Sequence, residues 1–219
     1  MRADPTPTYD DGFAVGVEAD GQIVVAGGAG VDGPNERFVV LAFGPHGSPD
    51  PTFGGDGRVF TDVTPKADVP FGLAIQDDGR IVVAGGAAQD GPDPRFGLVR
   101  YARDGSLDPS FRGDGTVITN VTPHADVAYG VAIDPDGRIV AAGTAGDGGP
   151  APRFGTVRYL ANGMLDPTFG GDGTATTNLT SGFDSAWSVA LQPDGSVVCS
   201  GVADSGGPHA SFAVLRYQP

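Results

Sequence analysis

An all-β protein of four like sheets set around a ring is what this sequence predicts, on three observations. A 58-residue segment recurs, each copy holds four strand-like runs, and the second run of each copy is apolar on both faces. Internal repeats decide an architecture before any single residue does. The stretch that begins at Gly21 (GQIVVAGG) returns at Gly79 (GRIVVAGG), Gly137 (GRIVAAGT) and Gly195 (GSVVCSGV), 58 residues apart each time without an insertion.

The first run, strand A, covers Phe13–Glu18, Phe71–Gln76, Tyr129–Asp134 and Trp187–Gln192. It alternates large and small residues, so that Phe71, Leu73 and Ile75 are expected on one face and Gly72 and Ala74 on the other. Strand B follows an Asp-Gly pair at Asp20, Asp78, Asp136 or Asp194, which predicts a tight type I′ hairpin with positive φ at both central residues. Strand C is Phe38–Phe43, Phe96–Tyr101, Phe154–Tyr159 and Phe212–Tyr217; strand D is Arg58–Val63, Thr116–Val121 and Thr174–Leu179. Because Ile81-Val82-Val83-Ala84 is apolar throughout, strand B must be covered on both sides. A meander with two buried faces needs neighbours of its own kind, and radial stacking of four-stranded blades supplies them. The expected fold is therefore a β-propeller of four blades in one domain, 1–219, with units of about 1–63, 64–121, 122–179 and 180–219.

The strand A–B hairpin (FGLAIQDDGRIVVAGG), the strand C signature (RFGLVRYARDGSLDPSF) and the Gly-Asp-Gly approach to strand D resemble the delta-60 repeat family, found mainly in bacterial proteins. The resemblance covers almost the whole chain and implies a propeller, but no particular activity. The first copy departs from it, with Ala42-Phe43 where the others have Arg100-Tyr101, Arg158-Tyr159 and Arg216-Tyr217.

The fourth copy reaches strand C and no further, whereas Ala3 to Pro7 fall in the repeat register of Thr61 to Pro65. The expectation is that Met1 to Pro5 supply the outer strand of the last blade, beside Phe212–Tyr217. Closure within one chain gives a monomeric ring, which is favoured; closure between two chains gives an eight-bladed homodimer.

Composition narrows the partners. The net charge is −14, with 27 acidic against 13 basic residues, so the chain repels phosphate backbones and nucleic acid is not expected as a partner. No run is long enough to cross a membrane, and the start carries no apolar leader core, which suits a soluble protein, cytoplasmic or secreted with its leader absent. Cys199 is the single cysteine and aligns with Ala141, Val83 and Val25, so it reads as a small core residue.

On the end of the ring that carries the D–A and B–C loops, Asp10, Asp68, Asp126 and Asp184 recur in all four copies. Four carboxylates around a channel mouth would raise one another's pKa unless compensated. They are expected to accept hydrogen bonds from their own turns, with a bound Ca²⁺ held by the four oxygen donors as the alternative. Positions that differ between copies mark a ligand surface: Tyr9, Lys66, His124, Phe183 and Trp187. His124 with Asp126 would be the fallback general base and orienting carboxylate, although no nucleophile is placed beside them. His46 and His209 show no metal-ligand spacing. The expected function is a non-catalytic module that binds a protein or small ligand or scaffolds an assembly, with no obligatory cofactor. The alternative is a small enzyme with its pocket at the channel mouth.

Overall fold

The computed structural model describes residues 6, 10–30, 36–149, 151–204 and 210–219. These residues hold fifteen strands and no helix, so no helix is long and apolar enough to cross a membrane. Blade 1 is β1 (Asp10–Val17), β2 (Ile23–Gly30), β3 (Glu36–Phe43) and β4 (Arg58–Thr61). Blade 2 is β5 (Val69–Ile75), β6 (Ile81–Ala87), β7 (Arg95–Tyr101) and β8 (Thr116–Thr119). Blade 3 is β9 (Ala125–Ile133), β10 (Ile139–Asp147), β11 (Arg153–Tyr159) and β12 (Thr174–Thr177). Blade 4 has three strands among the described residues, β13 (Asp184–Leu191), β14 (Val197–Ala203) and β15 (Ser211–Tyr217). Each sheet is an antiparallel meander in sequence order.

The A–B hairpins differ from the expected two-residue turn. In each blade the last strand A residue bonds across to the first of strand B, as Glu18 N–H to Gln22 O at 2.8 Å, and Gly21 N–H closes back on Glu18 O at 2.9 Å. Gly21, Gly79, Gly137 and Gly195 have φ between 79° and 89°, while the aspartates before them do not enter that region. This is a three-residue loop ending on a left-handed glycine, a geometry that only one positive φ satisfies. The Asp20 carboxylate then accepts the Gln22 N–H at 3.0 Å, which explains the Asp in the pair.

Strand D is also shorter than the sequence suggested, ending at Thr61, Thr119 and Thr177. The backbone N–H groups of Val63 and Thr64 leave the ladder because both donate to the Asp68 carboxylate, each at 2.8 Å. The same diversion recurs at Asp126 and Asp184.

The core lies between blades, as the two-sided burial of strand B requires. Every residue of β6 is buried. Val24, Phe38, Val40 and Phe53 of blade 1 pack on Ile81, Val83, Val99 and Tyr101 of blade 2. Blades 2 and 3, and blades 3 and 4, repeat the arrangement, and Cys199 lies in the last of these interfaces. Burial pushes the Cys199 thiol up to about 11, consistent with an inert core residue. Each interface is sealed by a tyrosine hydroxyl on a threonine of the preceding blade: Tyr101 to Thr61 at 2.7 Å, Tyr159 to Thr119 at 2.7 Å, and Tyr217 with Thr177 at 2.9 Å.

Closure of the ring within one chain is not seen. β1 packs on β5, β5 on β9 and β9 on β13, but no comparable contact joins β13 to β1. The four blades form an open arc among the described residues. The closing strand expected from Met1 to Pro5 lies outside the described residues.

Inside blades 2 and 3 an arginine ties strand C to the turn after it. Arg100 bonds Asp108 at 2.8 Å and lies 4.6 Å over the Phe111 ring; Arg158 bonds Asp166 at 2.8 Å and lies 4.9 Å over Phe169. Arg100 also reaches Ala161 O in blade 3 at 2.5 Å, a blade-to-blade bond. Burial works to raise both carboxyls, but hydrogen bonds from Ser110 or Thr168, and then the guanidinium, hold them below the ordinary aspartate value.

Two outcomes follow from these contacts. Tyr159→Phe should lower unfolding free energy by about 1 kcal/mol in a denaturant titration, the usual net worth of one buried hydrogen bond. Because both aspartates have depressed folded-state values, their contribution is complete above the ordinary aspartate range and is lost as pH falls through the folded values. Asp166→Asn should therefore destabilise the protein at neutral pH and flatten the acid limb of a pH–melting curve.

Candidate functional site

The recurring aspartates accept hydrogen bonds from their own turns, as expected. Asp68, Asp126 and Asp184 are wholly buried, each folded into its own turn. Asp68 accepts from Val63 N–H and Thr64 N–H, from the Thr64 hydroxyl at 2.7 Å and from Ala88 N–H at 2.9 Å. Asp126 has the matching donors in Val121, Thr122 and Gly146, and Asp184 accepts from Leu179 and from Thr180. Asp10 accepts from the N–H and the hydroxyl of Thr6. Among the described residues no three His, Cys, Asp or Glu side chains come together to hold a metal. These aspartates are turn anchors whose oxygens are already committed to N–H and O–H donors.

The His124–Asp126 dyad is likewise not assembled. His124 is exposed and lies over Gly149 of its own B–C loop, while the Asp126 oxygens face backbone donors. Lys66 occupies the equivalent place in blade 2, beside Gly91. Lys66 and His124 thus cover separate loops one repeat apart, and neither lines any of the larger cavities. Phe183 is partly exposed at the head of blade 4, and its carbonyl accepts the Asp204 N–H. Tyr9 and His209 lie outside the described residues.

Trp187 belongs to a different constellation. In every strand A the pairing with strand B skips one residue, and the skipped residue is aromatic: Phe13, Phe71, Tyr129 and Trp187. A bulge of this kind inserts an extra residue and re-aims its side chain out of the pleat. Phe71 therefore leaves the alternation expected of it, while Leu73 and Ile75 join the apolar cluster between blades 1 and 2. The freed rings stack across blades instead, with centroids 5.1 Å apart for Phe13–Phe71 and 5.1 Å for Phe71–Tyr129, a favourable tilted spacing. Strand A is innermost, since the A strands pack on one another while strand D touches chiefly its own strand C. The aromatic row thus lines the axial side of the arc. Phe13 is 43% and Trp187 59% exposed, so the row is not a closed core.

What permits the bulge is a glycine opposite it. A side chain at Gly27, Gly85, Gly143 or Gly201 would collide with the carbonyl oxygen of Asp11, Val69, Val127 or Ser185. The aromatic row is the feature that reading the sequence missed. Its signal was the glycine recurring at one point of an otherwise apolar strand B, which marks a bulge or a close backbone approach. Close approach also operates between blades, where a Cβ on Gly72 would lie 3.0 Å from Tyr129 O and one on Gly130 3.1 Å from Ser188 Cα.

Two clefts lie at the opposite end from the loops first favoured. One of about 600 Å³ between the A–B turns of blades 2 and 3 is lined by Asp78, Asp134, Asp136, Arg80 and Arg100. Another, of about 390 Å³, lies between the turns of blades 1 and 2, where Arg103 pairs with Glu18 at 3.1 Å and with Asp20. The arginines of these clefts are engaged by carboxylates of the same walls, so the clefts read as ion-paired seams.

Three repeats, residues 18–53, 76–111 and 135–169, match a β-propeller domain of unknown function (DUF5122). No curated protein matches the chain. Among solved structures, a protein of unknown function from Dyadobacter fermentans aligns at a TM-score of 0.57 and 16% identity, over 92% of this chain and 64% of its own length. An endo-arabinase from Bacteroides thetaiotaomicron aligns at 0.50 and 14%, over 94% of this chain and 74% of its own. The chain thus spans under two thirds of the first of these and three quarters of the second. At such identities the likeness is one of fold, and the chain is a β-propeller repeat protein.

Asp126→Ala leaves four donors without an acceptor and should cost about 3 kcal/mol or more, since each hydrogen bond to a charged group contributes roughly 1.5–3 kcal/mol. Millimolar calcium should leave the melting temperature of the unaltered chain unmoved; a rise of several degrees would restore the carboxylates as metal ligands.

Proposed function

We propose that this chain is a non-catalytic binding module of the delta-60 type, and that its binding surface is the aromatic row on the axial side of the arc. The observation that carries the reading is the bulge in all four inner strands: Phe13, Phe71 and Tyr129 stack in turn, Trp187 holds the same position in blade 4, and all are partly open to solvent. Large rings left exposed together stand out against the scattered apolar exposure of ordinary surfaces. A row of ring faces on a chain of charge −14 favours a ligand with a flat apolar or cationic group, held by stacking and cation–π attraction. Nucleic acid is not the proposed partner, because the same charge repels phosphate.

Trp187 is the single tryptophan and so reports on the row directly. Titration with quaternary ammonium compounds, methylated lysine and oligosaccharides should shift or quench its emission for at least one of these classes. Tyr129→Ala should then weaken that ligand about fivefold, since one cation–π or stacking partner contributes roughly 1 kcal/mol. Emission indifferent to every class would remove the row as a binding surface.

A further inference from the structure

The two ends of the arc are halves of one interface. On the leading face of blade 1, Ile23, Val25, Leu41 and Phe43 occupy the repeat positions of Ile81, Val83, Val99 and Tyr101, which are fully buried in blade 2. In blade 1 these residues line an open apolar cavity of about 390 Å³. Val15 and Val17, counterparts of Leu73 and Ile75, are each 66% exposed. On the trailing face of blade 4, Phe212 and Val214 occupy the positions of Phe38 and Val40, which are fully buried in blade 1. Here they are 87% and 61% exposed. The three interfaces within the chain join a trailing face to a leading face of this same composition.

We propose that blade 4 of one molecule docks on blade 1 of a second copy, twice over, closing an eight-bladed homodimeric ring. The contact is continuous with the interfaces inside the chain and reuses their chemistry. Phe212 and Val214 enter the leading face as Phe38 and Val40 do, over Val15, Val25 and Leu41. In the chain the N–H groups of Asp68, Asp126 and Asp184 bond Glu36 O, Pro94 O and Pro152 O of the preceding blade at 2.7–3.0 Å. The repeat register sets Ala210 O of the partner copy opposite Asp10 N–H in the same way. Two copies are the expected number because closed propellers carry four to eight blades, and three copies would need twelve. The joint is head-to-tail, so it seals only when the rotation closes.

Sedimentation or light scattering of the full chain should give twice 22.1 kDa at micromolar concentration. Phe212→Asp and Val15→Asp alter side chains already exposed, so the fold should survive, as far-ultraviolet circular dichroism would verify. Each variant alone should fall to 22.1 kDa at a concentration where the parent is double. Mixing the two should restore the doubled mass, because one of the two joints in a mixed pair is then unaltered. A parent that stays at 22.1 kDa at every concentration overturns the proposal and leaves the faces to be covered by other blades. A doubled mass that only Val15→Asp abolishes overturns it in favour of a blade 1 to blade 1 contact, and a ladder of higher masses overturns closure at two copies.

Discussion

Every feature of this molecule depends on a strand with no solvent side. Strand B is apolar on both faces, so a blade in isolation would expose two core surfaces and could not stand alone. The burial that stabilises each blade is supplied by the neighbours before and after it, as the wholly buried β6 illustrates. Stability is then a sum over interfaces more than over blades, the behaviour expected of repeat architectures. The arc leaves such a surface open at each end, with Val15 and Val17 on one side and Phe212 and Val214 on the other.

The same packing demand explains how a binding surface arises on the axial side. Neighbouring inner strands approach closely at Gly72 and Gly130, where blades 1 and 4 carry only the small Ala14 and Ser188. Large residues must therefore leave the interface, and the bulge gives them an exit. Gly27, Gly85, Gly143 and Gly201 make room for the displaced carbonyl, and the aromatic side chain turns to meet its counterpart in the next blade. A packing device and a row of accessible rings are one geometry.

The repeat, the strand order and the two-sided burial were legible in the residues, because period and apolar pattern are properties of the chain alone. Turn-level detail was only half legible. Asp20-Gly21 announces a hairpin, yet the register bonds of Glu18 make it a three-residue loop that one positive φ satisfies. The recurring aspartates were legible as turn anchors, since every blade needs the same turn, and the structure shows the bonds. Asp126 accepts from four donors of the turn that leads into its strand and of the loop opposite. Lys66 and His124, two of the positions that differ between copies, each lie over a separate loop, where exposed positions tolerate difference. The bulge aromatics escaped because a skipped residue is a relation between two strands, visible only once both are paired.

The self-similar interface bears on how such a chain changes over generations. A gene that gains or loses one 58-residue unit creates no contact that is new in kind, because the interfaces within the chain share one composition. Duplication is therefore structurally quiet, and the number of blades becomes the quantity that varies. Point changes at Gly143 or Asp126 face the opposite situation, since every unit solves the same local problem with the same residue and offers no alternative partner. Divergence is steered toward the loops and the axial rings, where Phe, Tyr and Trp have already replaced one another.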